Sequence, residues 1–305
     1  MTNTGLASEA GAHGRAARFA AVLLPALAFL LLYARSLPYE FVWTDRTEIE
    51  QGLVIRPPGR VAYAFFEPMY GAAAPLASVQ PYYRPLKVVV ATAIDRVAGR
   101  EAPAFRSVNL MLGATSFALF SALAGLLLRD VRAGALVALA AAVHPVAIES
   151  SVWASGLDDA LARLFAVACL LASVRAAGRT APASRLGWGA LSVVLLGLGL
   201  ASKESALSTP ALAIACMLCA APEPGPPRAF AFWLAGLQAA VALGWFLLLR
   251  PAVLGGMAAA APPIEGSLAV HLTTLIATWP DRIAWLFLPL SSTTSDVVPI
   301  VEGLF

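Results

Sequence analysis

The sequence predicts an all-α, polytopic integral membrane protein, and three observations lead there. The chain of 305 residues is 59% hydrophobic and only 13% charged, with a mean hydropathy of +0.76, values typical of chains whose helices sit in lipid. Its apolar residues fall into long unbroken runs, not into the alternation of half-buried strands. Arginines recur at every second connection between those runs, as the positive-inside rule asks of short cytoplasmic loops. A net charge of +3, with arginines scattered between apolar stretches, forms no basic stripe. Nucleic acid is therefore not an expected partner, and membrane lipid is.

The elements follow in order. Residues 19–32 are continuously apolar behind Arg15 and Arg18, which fits a first transmembrane helix or a signal peptide. Ala34, Arg35 and Ser36 make a poor cleavage site and favour the retained helix. Residues 36–104 form a long first extracytoplasmic loop. In one of its segments Val61, Phe65, Phe66 and Met69 recur at helical spacing; in another, Leu86, Val89, Val90, Ile94 and Val97 line one side while Lys87, Asp95 and Arg96 do not. Each is too short for a hydrocarbon core that needs about 20 residues, so both are expected as interfacial helices.

Further spans are predicted at 108–128, 134–146, 160–176, 186–200, 207–220, 230–249 and 272–290, the last interrupted by Trp279, Pro280, Asp281 and Arg282. With the first span, this makes about eight crossings. Arg15 and Arg18, then Arg129 and Arg132, then Arg175, Arg179 and Arg185, then Arg228 mark the cytoplasmic side, which places the N-terminus in the cytoplasm. Pro222, Pro224, Pro226 and Pro227 read as a tight connection, so residues 1–305 form a single membrane domain. Cys169, Cys216 and Cys219 all lie in apolar stretches, and the CxxC of the last two, lacking a second pair, reads as small residues on a buried face. The Ala-rich, Arg-over-Lys composition fits a high-GC bacterial gene, hence a bacterial inner membrane.

Asp45, His144, Glu149, Asp158, Asp159, Lys203 and Glu204 stand beside apolar segments that otherwise carry almost no charge. Counting crossings puts all of them on one face, the extracytoplasmic one, and ionisable residues gathered there suggest chemistry at the membrane surface. They fall in a series of short motifs: Phe41-Val42-Trp43-Thr44-Asp45; Tyr82-Tyr83-Arg84-Pro85-Leu86; His144-Pro145-Val146-Ala147-Ile148-Glu149; Ser155-Gly156-Leu157-Asp158-Asp159; and Ser202-Lys203-Glu204. In this order and topology the series resembles the GT-C membrane glycosyltransferases, and within them the transmembrane and tetratricopeptide-repeat O-mannosyltransferase family with its bacterial relatives. The resemblance covers about 37–296, the membrane part only. Thr44 stands where that family has a second acid, Leu157 where it has an Arg, and Arg106 and Gly113 where His residues are expected around Asn109.

The resemblance implies an enzyme that transfers a hexosyl group from a polyprenyl-phosphate sugar to a hydroxyl of an exported protein or glycan. Such chemistry needs a carboxylate to take the hydroxyl proton and cations to stabilise the departing phosphate. Asp45 matches the family's loop acid and is the expected base, with Glu149 and Asp159 as further catalytic candidates; Asp45 also suits a loop acid or helix cap. Arg84 and Lys87 suit the carrier phosphate, and equally suit snorkelling to headgroups. His144, Lys203 and Glu204 complete the expected substrate-binding set, His144 having a capping alternative and Lys203 and Glu204 a salt-bridge one. Asp159 is also placed to pair with Arg163 four residues on, and Asp158 to favour the helix dipole. No ligand spacing demands a metal, and no cofactor beyond the lipid-linked donor is expected. A catalytically inactive scaffold is the first rival; a small-solute transporter is weaker, because no internal symmetry is present. The chain also looks shorter than the family, as a truncated or minimal relative would.

Overall fold

The structure is a computed structural model describing residues 3–71, 82–220, 226–256 and parts of 270–283. The described residues form helices α1 (Asn3–Tyr33), α2 (Pro85–Ala98), α3 (Ala102–Leu128), α4 (Val131–Val143), α5 (Val146–Val152), α6 (Leu157–Ala177), α7 (Pro182–Ser202), α8 (Thr209–Ala220), α9 (Pro226–Gly244) and α10 (Arg250–Leu254), joined by short 3-10 and π turns. No strand occurs among them. Their starts follow local chemistry. Proline opens α2, α3 and α7, where a missing N–H leaves no helix bond unmade. The Asp130 side chain caps α4 by accepting the N–H groups of Arg132 and Ala133.

Five described helical segments are long and apolar enough to cross a membrane: Ala16–Ser36, Ala102–Leu128, Ala154–Ala177, Pro182–Ser202 and Arg228–Leu254. This is a helical integral membrane protein. The expected count of about eight crossings is higher, and the difference has physical causes. The predicted span at 134–146 is the 13-residue α4, bent by 77° against α5 at His144 and Pro145, and this pair raises the number of spans to six only if taken as one. Pro145 lacks the N–H that would continue α4. The predicted span at 207–220 is a 3-10 turn followed by the 12-residue α8. The span at 272–290, the connection at 221–225 and the segment after it at 291–305 lie wholly or mostly outside the described residues.

Helix α3 is the central strut, packing against α1, α4 and α6, while α6 and α7 form the most extensive hairpin and α9 closes on α6, α7 and α8. Gly134 touches α3 so closely that a Cβ there would fall within 2.6 Å of the Gly125 Cα. Within the α6, α7 and α9 contact, the fully buried Gln238 Nε2 donates to Ser173 Oγ at 2.9 Å and Ser192 Oγ at 3.0 Å. Both serines donate in turn to carbonyls of their own helices, Cys169 and Gly189.

The first loop does not lie flat. Ile49, Val54, Ala64 and Met69 pack with Val88, Ala91 and Ile94 of α2, Phe105 of α3 and Leu157 and Leu161 of α6 in one buried cluster, each large side chain there being worth about 1.5–3 kcal/mol. The two segments expected as interfacial helices differ in outcome. The first is a short 3-10 turn, Val61–Phe65. The second is α2, whose expected apolar side packs inward at Ile94, Leu86, Val89 and Val90, but whose buried face also takes in Lys87, Val88, Ala91 and Thr92 while Val97 is 89% exposed. Lys87 turns inward because its acidic partners, Glu48 and Asp158, lie inside the protein.

Candidate functional site

The start of α2 brings Arg84 and Lys87 against the start of α6 and the end of α7. Arg84 Nη1 meets Asp158 Oδ2 at 2.5 Å, and Arg84 Nη2 meets Glu204 Oε2 at 3.0 Å. Lys87 Nζ lies 2.7 Å from Glu48 Oε2 and 3.5 Å from Asp158 Oδ1. Tyr70 donates its hydroxyl to Glu48 at 2.8 Å, and the Tyr82 ring lies 4.2 Å from the Arg84 guanidinium carbon. Two cations are thus held among three carboxylates, contributed by the first loop, α6 and the turn after α7. Burial works against the Lys87 ammonium, but attraction to Asp158 and Glu48 outweighs it and its pKa lies above the ordinary lysine value. The same balance, with Asp158 and Glu204 as partners, raises Arg84. Burial first, then the Glu48 charge, pushes the Tyr70 phenol up.

Beside this buried network is a more open pair. Lys203 Nζ meets Asp159 Oδ2 at 2.5 Å, with the two side chains 27% and 34% exposed. The helix neighbour Arg163 is used otherwise, donating to Ser150 Oγ and Ser151 Oγ. The expected Asp159 to Arg163 pair is therefore replaced by a contact that joins α6 to the end of α7. Lys203 is presented by an extended backbone, φ −158° and ψ 149°, where α7 stops.

Asp45 is fully buried. Its Oδ1 accepts the Ser155 N–H at 2.7 Å and its Oδ2 the Val42 N–H at 3.2 Å. It closes a turn containing Trp43, whose φ of +46° is strained for a bulky residue, and it ties the first loop to the segment entering α6. Arg106 and Asn109 hold the same segment from α3: Arg106 donates to the Val152 and Glu40 carbonyls, Asn109 to those of Trp153 and Ala154. His144 Nδ1 accepts the Val146 N–H at 3.1 Å and so caps the bend into α5. The Glu149 side chain lies outside the described residues.

The structure thus brings Arg84, Lys87, Asp158, Glu204, Asp159 and Lys203 to one end of the bundle, with Asp45 locked behind them. Sequence reasoning missed Glu48 and gave Asp158 only a helix-dipole role. The available signal was that Lys87 sits in the apolar first part of its helix, Pro85 to Ile94, and needs an acid. Among the described residues, no group of three or more His, Cys, Asp or Glu is placed to hold a metal ion. No family model matches the chain, and neither a curated protein nor a solved structure matches it.

Proposed function

We propose that the protein is a GT-C-like membrane glycosyltransferase that moves a hexosyl group, with mannose as the first sugar to try, from a polyprenyl-phosphate carrier to a hydroxyl of an exported protein or glycan. The reading places the site on the extracytoplasmic face of a bacterial inner membrane, in a bundle of about eight crossings. The observation that carries it is the juxtaposition of the half-open Asp159 to Lys203 pair with the Arg84 to Glu204 pair at one end of membrane-spanning helices. In the reaction, the acceptor oxygen bonds to the anomeric carbon, the bond from that carbon to the phosphate oxygen breaks, and a carboxylate takes the acceptor proton. Among the carboxylates of this cluster, Asp159 is the most exposed and takes this role. Lys203 is the cation beside it for the departing phosphate, and Arg84, held by Asp158 and Glu204, orients the carrier. Glu204 holds Arg84. Asp45, being buried on two backbone N–H groups, serves the site by fixing the first loop and not as the base.

The test is transfer from a radiolabelled polyprenyl-phosphate hexose by the purified protein. Asp159→Asn is expected to lose roughly 10²-fold or more in turnover with carrier binding retained, the usual scale for a general base. Arg84→Ala is expected to weaken carrier binding more than Arg179→Ala. Turnover by Asp159→Asn equal to the parent would refute the base assignment. A second reading, an inactive scaffold, is favoured by one observation: carboxylates already engage both Arg84 and Lys87. No transfer by the parent protein with any lipid-linked hexose would decide for it.

A further inference from the structure

At the opposite end of the bundle, where Leu123 of α3 packs with Val174, Ala176 and Ala177 of α6, lies a second charged feature. A cleft of about 740 Å³ opens between the beginning of the first span, at Ala17, Arg18 and Ala21, and the turn from α3 to α4, which supplies Arg129 and Arg132. Arg18 lies at the start of the span Ala16–Ser36, and Arg129 directly follows the span Ala102–Leu128. Both guanidiniums therefore belong at the level where hydrocarbon gives way to headgroups.

The charges of the cleft do not cancel. Asp130 is the one carboxylate among its lining residues, and its Oδ1 already accepts the N–H groups of Arg132 at 2.8 Å and Ala133 at 3.4 Å. Among the described residues, none of the three arginines forms an ion pair. The turn is also held in shape. Arg129 adopts a left-handed φ of +56° at the end of α3, and the close approach of Gly134 to Gly125 locks α4 beneath it. Small side chains at Ala17 and Ala21 leave room, while the exposed Leu126 offers an apolar flank.

We propose that this cleft binds the phosphodiester headgroup of an anionic phospholipid, with Arg18, Arg129 and Arg132 around the phosphate and an acyl chain along Leu126. Planar guanidiniums suit phosphate oxygens by paired hydrogen bonds. The position at the border of two spans selects a lipid over a soluble anion, because a lipid also occupies the apolar flank. The site is separate from the proposed glycosyl transfer and does not depend on it.

The experiment is native mass spectrometry of the full chain in neutral detergent, titrated with short-chain phosphatidylglycerol, with phosphatidylcholine of the same chains, and with inorganic phosphate. Phosphatidylglycerol is expected to be retained in preference to both. Arg18→Gln, Arg129→Gln and Arg132→Gln should each weaken it by about fivefold, the scale of one basic residue at an anionic lipid surface. Arg179→Gln should bind like the parent. Equal retention of phosphatidylcholine, or undiminished binding in all three single variants, would overturn the proposal. Displacement of the lipid by inorganic phosphate at equal concentration would identify a soluble-anion site and overturn the lipid assignment.

Discussion

Replacing Lys87 by Met keeps the length of the side chain and removes its charge from a place that is 3% exposed. The consequence depends on what is left behind. In the parent, Arg84 and Lys87 stand among Glu48, Asp158 and Glu204. Without Lys87, Asp158 and Glu204 still share Arg84, but Glu48 keeps only the Tyr70 hydroxyl at 2.8 Å. A buried charge stripped of its partner typically destabilises by about 3–5 kcal/mol, and the near-complete burial of this site argues for that full range. The assay is reversible unfolding of the detergent-solubilised protein in mixed micelles. Adding Glu48→Gln to Lys87→Met should restore part of the loss, with a coupling of about 1–3 kcal/mol, since the stranded carboxylate is then neutral. Strict additivity of the two substitutions, or a Lys87→Met protein as stable as the parent, would refute the argument that the pair acts as a unit.

The raised Lys87 pKa fixes a pH window. A lysine held above its ordinary value of 10.5 contributes its full stabilisation below that pH and loses it as pH rises through the folded value. Tyr70, also raised from its ordinary 10.0, acts in the same alkaline direction, because the unfolded phenol ionises first. Thermal midpoints followed above pH 10 should therefore fall more steeply for the parent than for Lys87→Met; parallel curves would count against the pairing. Separately, Gly134→Ala places a Cβ against the unyielding backbone of Gly125 and should destabilise by about 1–3 kcal/mol. Gly187→Ala, with nothing within 4 Å of its added Cβ, should be neutral or stabilising by roughly 0.5–1 kcal/mol; equal effects at the two glycines would contradict the close-packed α3 and α4 pair.

The helices were legible because lipid imposes one requirement everywhere: an apolar run long enough to satisfy its own backbone. That rule located α3, α6, α7 and α9, but it could not show that Pro145 breaks α4 from α5 or that α8 is so short. The gathering of Asp45, Asp158, Asp159, Lys203 and Glu204 at one end was legible from crossing parity together with the arginine alternation. Pairings inside that gathering were not. Local spacing assigned Asp159 to Arg163, whereas its partner Lys203 lies 44 residues away; Lys87 and Glu48 are 39 apart. Which acid a cation meets is decided by how α2 rolls against α6 and α7, a property of packing that no single segment encodes. The burial of Asp45 behind its loop turn is of the same kind.

The Gln238 contact has a consequence for how the protein is made. Ser173 and Ser192 each satisfy a carbonyl in their own helix, so the α6 and α7 hairpin can rest in the bilayer complete as it emerges from synthesis. Gln238 has no such local remedy for its amide protons until α9 arrives beside that hairpin. The penalty for delayed assembly therefore falls on the later segment alone. An α9 that enters the membrane but turns the wrong side to the hairpin, or slides by one helical turn, leaves those amide protons unpaired in hydrocarbon, whereas the observed docking pairs them with Ser173 and Ser192. One glutamine in the apolar body of α9 thus marks the register in which that helix docks on the hairpin.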